Sequence, residues 1–199
     1  MQKIENSARR DFFRLGLRKA AQTAVKGADN LAKQRARNWI RPPYAQDELE
    51  FLMACTRCLD CIEACPHEVI FALPARLGAQ VVNTPALDLR NKGCHLCIDW
   101  PCVQVCEPAA LKLPDVSAEN QSTPPRIAFT FIDTRVCLPY SGPECGACAN
   151  SCSVAGALLW DGVQPHINPD ICTGCARCRE ACIVEPKAVQ IQSLNAKEK

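Results

Sequence analysis

A chain of 199 residues is long enough for one ordinary domain or two small ones, and a net charge of +2 argues against the strongly basic surface of a nucleic-acid binder. Sixteen residues are cysteine, while Trp, Tyr and Phe together make up only 6%, so an aromatic core is not what holds the fold. No run of eighteen apolar residues occurs, so no transmembrane helix is expected.

Residues 1–50 carry 11 Lys/Arg against 6 Asp/Glu, a balance of +5; the rest carry 12 against 15, a balance of −3. Ser7-Ala8-Arg9-Arg10-Asp11-Phe12-Phe13-Arg14 resembles a twin-arginine export motif. An export signal then needs an apolar stretch, which Arg18, Lys19, Lys26, Asp29 and Lys33 interrupt. Export through this segment is therefore not expected, with the periplasm as the alternative if the Arg9-Arg10 segment acts as a signal. Phe13, Leu17, Ala20, Ala24, Ala28 and Leu31 recur at steps of three and four behind a candidate N-cap at Ser7, which predicts a basic amphipathic helix. Such an arm either packs on the body or docks on a partner or an anionic lipid surface, a peripheral membrane contact. Arg41-Pro42-Pro43 ends it, since proline lacks a backbone donor and restricts the residue before it.

Residues 51–108 form the first predicted module. Cys55, Cys58, Cys61 and Cys65, followed by Pro66, are spaced C-x₂-C-x₂-C-x₃-C-P, the run of bacterial ferredoxins. Three close thiolates hold three corners of one [4Fe–4S] cube, and the fourth points to another cube, so a partner run is required. Cys94, Cys97, Cys102 and Cys106 supply it, with two extra residues before the third cysteine. Between them, Val69-Ile70-Phe71 and Gln80-Val81-Val82 read as short strands joined through Pro74 to Gly78. The expected ligand sets are Cys55, Cys58, Cys61 and Cys106 for one cube, and Cys94, Cys97, Cys102 and Cys65 for the second.

Residues 109–125 have linker composition, with Lys112-Leu113-Pro114 and Asn120-Gln121-Ser122-Thr123-Pro124-Pro125. Residues 126–199 form the second module. Ile127 to Ile132 is a predicted strand leading into Cys137, Cys145, Cys148 and Cys152, whose first gap holds a loop with Gly142-Pro143. Apolar stretches at 157–160 and 163–167 flank Asp161-Gly162, a hairpin signal. Cys172, Cys175, Cys178 and Cys182 follow, then a last strand at 188–191. The third cube is expected on Cys137, Cys145, Cys148 and Cys182, and the fourth on Cys172, Cys175, Cys178 and Cys152. These sets use all sixteen cysteines. The rival arrangement nests the pairs, run one with run four and run two with run three. The fold class is then α+β: tandem bacterial-ferredoxin-like modules, two pseudo-symmetric βαβ/hairpin units, behind a basic N-terminal helix.

The spacings C-x₂-C-x₄-C-x₃-C in the second run and C-x₇-C-x₂-C-x₃-C in the third resemble the ferredoxin-type accessory proteins of periplasmic nitrate reductase systems, NapF and NapG, and the related MauM. Cys182-Ile183-Val184-Glu185-Pro186 is similar to the end of the NapG pattern. Arg9-Arg10, Arg41-Pro42-Pro43, Phe51-Leu52 before Cys55-Thr56-Arg57-Cys58, and Cys137-Leu138-Pro139-Tyr140 look closer to NapF. The resemblance implies four [4Fe–4S] clusters and no substrate chemistry of the chain's own. For a NapF-like protein it implies a cytoplasmic location and a maturation role toward the catalytic molybdenum subunit of the reductase before its export. For a NapG-like protein it implies electron flow from quinol.

Two alternatives have less support. Disulfides leave the C-x-x-C spacings unexplained, and zinc ribbons carry separated pairs rather than triplets with a fourth cysteine. His67, His95 and His166 read as ordinary loop residues, Asp60, Glu63 and Asp99 as surface charges, and Trp100 and Trp160 as packing residues. Gly146 and Gly174 are expected to let the backbone approach a cube closely.

Overall fold

The computed structural model describes residues 19, 22–114 and 124–196. Ser7, Arg9-Arg10, Phe13, Leu17 and Ala20 of the arm, and residues 120–123 of the linker, lie outside the described residues. Short helices and three two-stranded antiparallel sheets make a mixed α and β architecture. Helix α1 covers residues 22–35 and runs into a 3₁₀ turn at Ala36–Asn38. Its positions Ala24, Ala28 and Leu31 are exposed, so this part of the helix stands off the body; small alanines offer little apolar area to draw it in. The chain joins the core only at Ala36 and Trp39.

Helix α2 (Glu48–Ala54) delivers Phe51 to the core and ends at Cys55. Glu48, its first residue, is buried against Arg41 at 2.6 Å. Helix α3 (Asp60–Glu63) leads to strand β1 (Ile70–Ala72), which pairs with β2 (Pro85–Leu87), Ile70 opposite Leu87 and Ala72 opposite Pro85. The second strand thus lies beyond Gln80-Val81-Val82, which forms a turn instead. Gly78, at φ 106°, breaks the extended run, and Val81 and Val82 donate backwards to the Gly78 carbonyl. Proline is tolerated in β2 because a two-stranded sheet is all edge.

Helix α4 (Pro101–Gln104) carries the third cysteine of run two. Strand β3 (Ala128–Ile132) pairs with β6 (Val189–Ser193) across the whole of runs three and four, with Ala128 opposite Ser193 and Ile132 opposite Val189. Helix α5 (Leu138–Ser141) fills the long first gap of run three and stops at Gly142, φ 120°. Strands β4 (Leu158–Asp161) and β5 (Gln164–Ile167) form the hairpin at Asp161-Gly162, with Asp161 already paired to Gln164, so the loop is Gly162-Val163. Helix α6 (Arg177–Glu180) carries Cys178.

One hydrophobic cluster contains Phe51, Val69, Leu89 and Val103 together with Ile127, Ala128 and Ala176. A buried hydrogen bond from Ser193 Oγ to the Ala36 carbonyl, 3.1 Å, ties the last strand to the first turn. Gly174 is forced by β3: a Cβ there would lie 2.1 Å from the Ala128 carbonyl oxygen, and its φ is 77°.

Candidate metal centres

The cysteines gather around four hollows, each drawing on two successive runs. The first is lined by Cys55, Cys58, Cys61 and Cys106. The second is lined by Cys65, Cys94, Cys97 and Cys102. The third takes Cys137, Cys145, Cys148 and Cys182, and the fourth Cys152, Cys172, Cys175 and Cys178. All sixteen are free thiols. A groove of about 580 Å³ lies apart from them near Arg41, Gln46 and Asn195 and has no cysteine among its lining residues.

A repeated backbone device shapes three of the runs. The residue just before the second cysteine has positive φ in each: Arg57 (62°), Leu96 (52°) and Gly174 (77°). So does the residue two before the third cysteine: Leu59 (75°), Trp100 (46°) and Ala176 (66°), each immediately preceding a four-residue helix. A left-handed residue followed by a right-handed one turns successive amide N–H groups to one side, a concavity suited to anionic sulfur. Each non-glycine residue held this way costs about 1–3 kcal/mol, so the surroundings must impose it. Arg57 is held from outside, its guanidinium donating to the carbonyls of Val82 (3.1 Å) and Gln80 (2.9 Å). Of these positions only Gly174 announces itself in the sequence. At Gly146 no described residue beyond its sequence neighbours comes within 4 Å of an added Cβ.

Burial and crowding favour neutral thiols at these sites until positive charge is bound. Burial, reinforced by neighbouring thiolates, pushes Cys61, Cys102 and Cys178 up to about 12. Burial likewise raises Cys94 and Cys148 to about 11. Thiolates that close and that buried persist only when bound positive charge offsets their repulsion, and loading must release protons. Backbone donors are in place, as with Leu111 N–H to Cys106 Sγ at 3.3 Å. Among the described residues no three His, Cys, Asp or Glu side chains converge on a single metal ion. The all-sulfur donor sets around hollows fit a multi-atom, soft-metal group. At the fourth hollow the fit is sharper. The Thr130 hydroxyl is buried without a hydrogen-bond partner, and the buried Thr173 hydroxyl faces the Cys175 thiol, which it draws down against the effect of burial; both residues line that hollow. Buried hydroxyls are rarely left without a partner, and a group rich in sulfur acceptors would satisfy them.

The other singled-out residues fall as follows. His67 and His95 are not independent loop residues: they stack at 3.5 Å with an interplanar angle of 7° and line the second hollow, where burial holds His95 below the usual imidazole range. Their separation in sequence hid the pairing. Trp100 packs edge-on against Tyr44, 4.9 Å between centroids, and lines the same hollow. Asp60, Glu63 and Asp99 are exposed.

Among curated proteins, the chain is 30% identical to the ferredoxin-type protein NapG of Haemophilus influenzae, over 94% of this chain and 72% of that protein. It is 29% identical to the methylamine utilization ferredoxin-type protein MauM of Methylobacillus flagellatus, over 94% and 85%. It is 32% identical to the ferredoxin-type protein NapF of Escherichia coli, over 82% and 90%. No family model matches the chain. No solved structure matches it either.

Proposed function

The chain belongs to the ferredoxin-type family of NapG, MauM and NapF, and from that membership we propose that its sixteen cysteines hold four [4Fe–4S] clusters, one per hollow. The observation that carries this reading is the division of sixteen thiols into four hollows of four. Cys55, Cys58, Cys61 and Cys106 would hold the first; Cys65, Cys94, Cys97 and Cys102 the second; Cys137, Cys145, Cys148 and Cys182 the third; Cys152, Cys172, Cys175 and Cys178 the fourth. Residues 51–108 and 126–199 would then be tandem ferredoxin-like modules, joined by 109–125 and preceded by the arm of residues 1–50. A bound cluster supplies reversible one-electron chemistry with no rearrangement of the protein. The chain's own part is to fix the sulfurs, donate N–H groups to them and set how wet each site is.

Thr173 should then tune the fourth site. A hydroxyl donating to a cluster sulfur stabilises the more negative, reduced state, so its loss disfavours reduction. Thr173→Val keeps the shape and removes the donor. We expect full iron content and one cluster potential shifted lower in an EPR-monitored redox titration; four unchanged potentials would sink the assignment.

In the cell, the proposed role is that of an accessory protein acting in the cytoplasm on the catalytic molybdenum subunit of a periplasmic nitrate reductase. The test is anaerobic affinity capture of the tagged full chain from its own cells, split into cytoplasmic and membrane fractions. Recovery of an unprocessed reductase precursor from the cytoplasm is the expected result. Recovery only with mature reductase or a membrane quinol oxidase overturns it. That outcome would favour the second reading, an electron relay from quinol, which the NapG-like spacing of the second run supports. Among the described residues, no helix is long and apolar enough to cross a membrane.

A further inference from the structure

We infer that the four hollows are joined in one unbranched succession, first, second, fourth, third, and that Gly93 is the positioning residue that keeps the second and fourth in contact.

The two outer links follow from chain connectivity. Cys61 on α3 lines the first hollow, and Cys65 just beyond it lines the second. Cys102 on α4 returns to the second and Cys106 to the first, and Cys61 and Cys102 are buried in the same core. In the same way Cys148 and Cys152, and Cys178 and Cys182 around α6, stitch the third hollow to the fourth. With only three residues between the two cysteines in each case, the hollows are neighbours.

The central link is tertiary. The backbone N–H of Cys94, a lining residue of the second hollow, donates to the carbonyl of Cys175, a lining residue of the fourth, at 2.7 Å. The preceding residue, Gly93, donates its N–H to Glu180 Oε2 at 3.1 Å. A Cβ on Gly93 would stand 2.8 Å from Arg177 Cα and Cγ and 2.9 Å from its nitrogen. Two of those three atoms are backbone, so a side chain has no flexible group to displace and must push α6 away. Glycine is needed here for space. Arg179 Nε closes the seam by donating to the Arg90 carbonyl, 3.1 Å. The thiol electrostatics run the same way: Cys61 acts on Cys102, Cys175 on Cys94 and Cys148 on Cys178.

Redox groups held at Cys94 and Cys175 are therefore linked through the two cysteines' own covalent bonds and a single backbone hydrogen bond, and the first and third hollows are the two ends. Tunnelling falls steeply with distance, so this contact is the crossing between the halves. The inference rests on the four-cluster reading, and the test separates the two. Full-length protein, purified anaerobically, is first assayed for iron and acid-labile sulfide. A protein without them sinks the reading itself. The fully reduced protein is then measured by EPR, in linewidth and relaxation. Gly93→Ala is expected to retain its iron and lose part of the spin–spin broadening present in the parent protein. Glu180→Ala, which frees the Gly93 N–H without a clash, should do the same to a smaller degree. Unchanged linewidth and relaxation in iron-replete Gly93→Ala overturns the junction while leaving the clusters standing. Loss of iron from both variants also overturns it, since these residues would then build the sites rather than join finished ones.

Discussion

Removing the iron with a chelator, under anaerobic reducing conditions, is expected to unfold the body of the protein rather than leave an empty frame. Helices α3, α4, α5 and α6 have four residues each, far below the length at which a helix holds by itself. The three sheets have two strands each and are marginal alone. Cys61, Cys102 and Cys175 are themselves members of the main hydrophobic cluster, so emptying the hollows takes the middle out of the core. The left-handed residues around the cysteines add a cost of about 1–3 kcal/mol each. Against this, binding of a structural metal by thiolate-rich sites is worth about 10–16 kcal/mol in small zinc domains, comparable with the whole stability of an ordinary domain, about 5–15 kcal/mol. Far-UV circular dichroism and limited proteolysis decide the matter: collapse of the signal and rapid cleavage within residues 51–196 are expected. A stripped protein that keeps a cooperative thermal transition near that of the loaded form would show that the polypeptide folds without the clusters.

A large loss of stability is expected on replacing Arg41. Its guanidinium forks onto Glu48, with Nη2 to Oε1 at 2.6 Å and Nε to Oε2 at 3.0 Å, and also donates to Thr84 Oγ1 and the Pro85 carbonyl. It lies over the Phe51 ring at 4.4 Å. The side chains of Arg41 and Glu48 are only 8% and 1% exposed. Arg41→Met leaves Glu48 as an uncompensated buried carboxylate with the Trp39 indole, at 3.3 Å, as its remaining side-chain donor. The expected cost is about 3–5 kcal/mol, read as a lower denaturation midpoint of the loaded protein with iron content unchanged. Arg41→Met with Glu48→Leu should recover much of it, because a buried ion pair exchanged whole for apolar groups is close to neutral. A single variant within about 1 kcal/mol of the parent would mean that the pair contributes little to the fold.

The elements legible in the sequence are those written in local chemistry. Strand β3, the last strand β6 and the hairpin of β4 and β5 follow from apolar stretches and from Asp161-Gly162, with the turn displaced by one residue. Strand β2 was not legible, because Pro85-Ala86-Leu87 has neither β-branched residues nor alternation, while Gln80-Val81-Val82 has the composition of a strand and folds as a turn behind Gly78. The pairing of β3 with β6 is a long-range fact that no local signal carries. At the site, the runs and their spacings were plain from the start. The left-handed residues Arg57, Leu59, Leu96, Trp100 and Ala176 were not, since none is a residue type that prefers that conformation. Nor were the stacked His67 and His95, or the fit of Gly93 against Arg177, which exist only once distant segments meet.

The crossing of cysteines between runs has a consequence for synthesis. The hollow begun by Cys55, Cys58 and Cys61 has no fourth wall until Cys106 arrives, and the one begun by Cys137, Cys145 and Cys148 waits for Cys182. A ribosome adding about 5–20 residues per second exposes those unfinished triplets for seconds before their partners emerge. Iron delivered in step with translation would meet three-sided sites, open to oxygen and to the wrong metal. The donor of iron and sulfide can therefore complete the first hollow only after Cys106 has emerged, and Cys182, the last thiol of the third hollow, sets the earliest moment at which that one is finished.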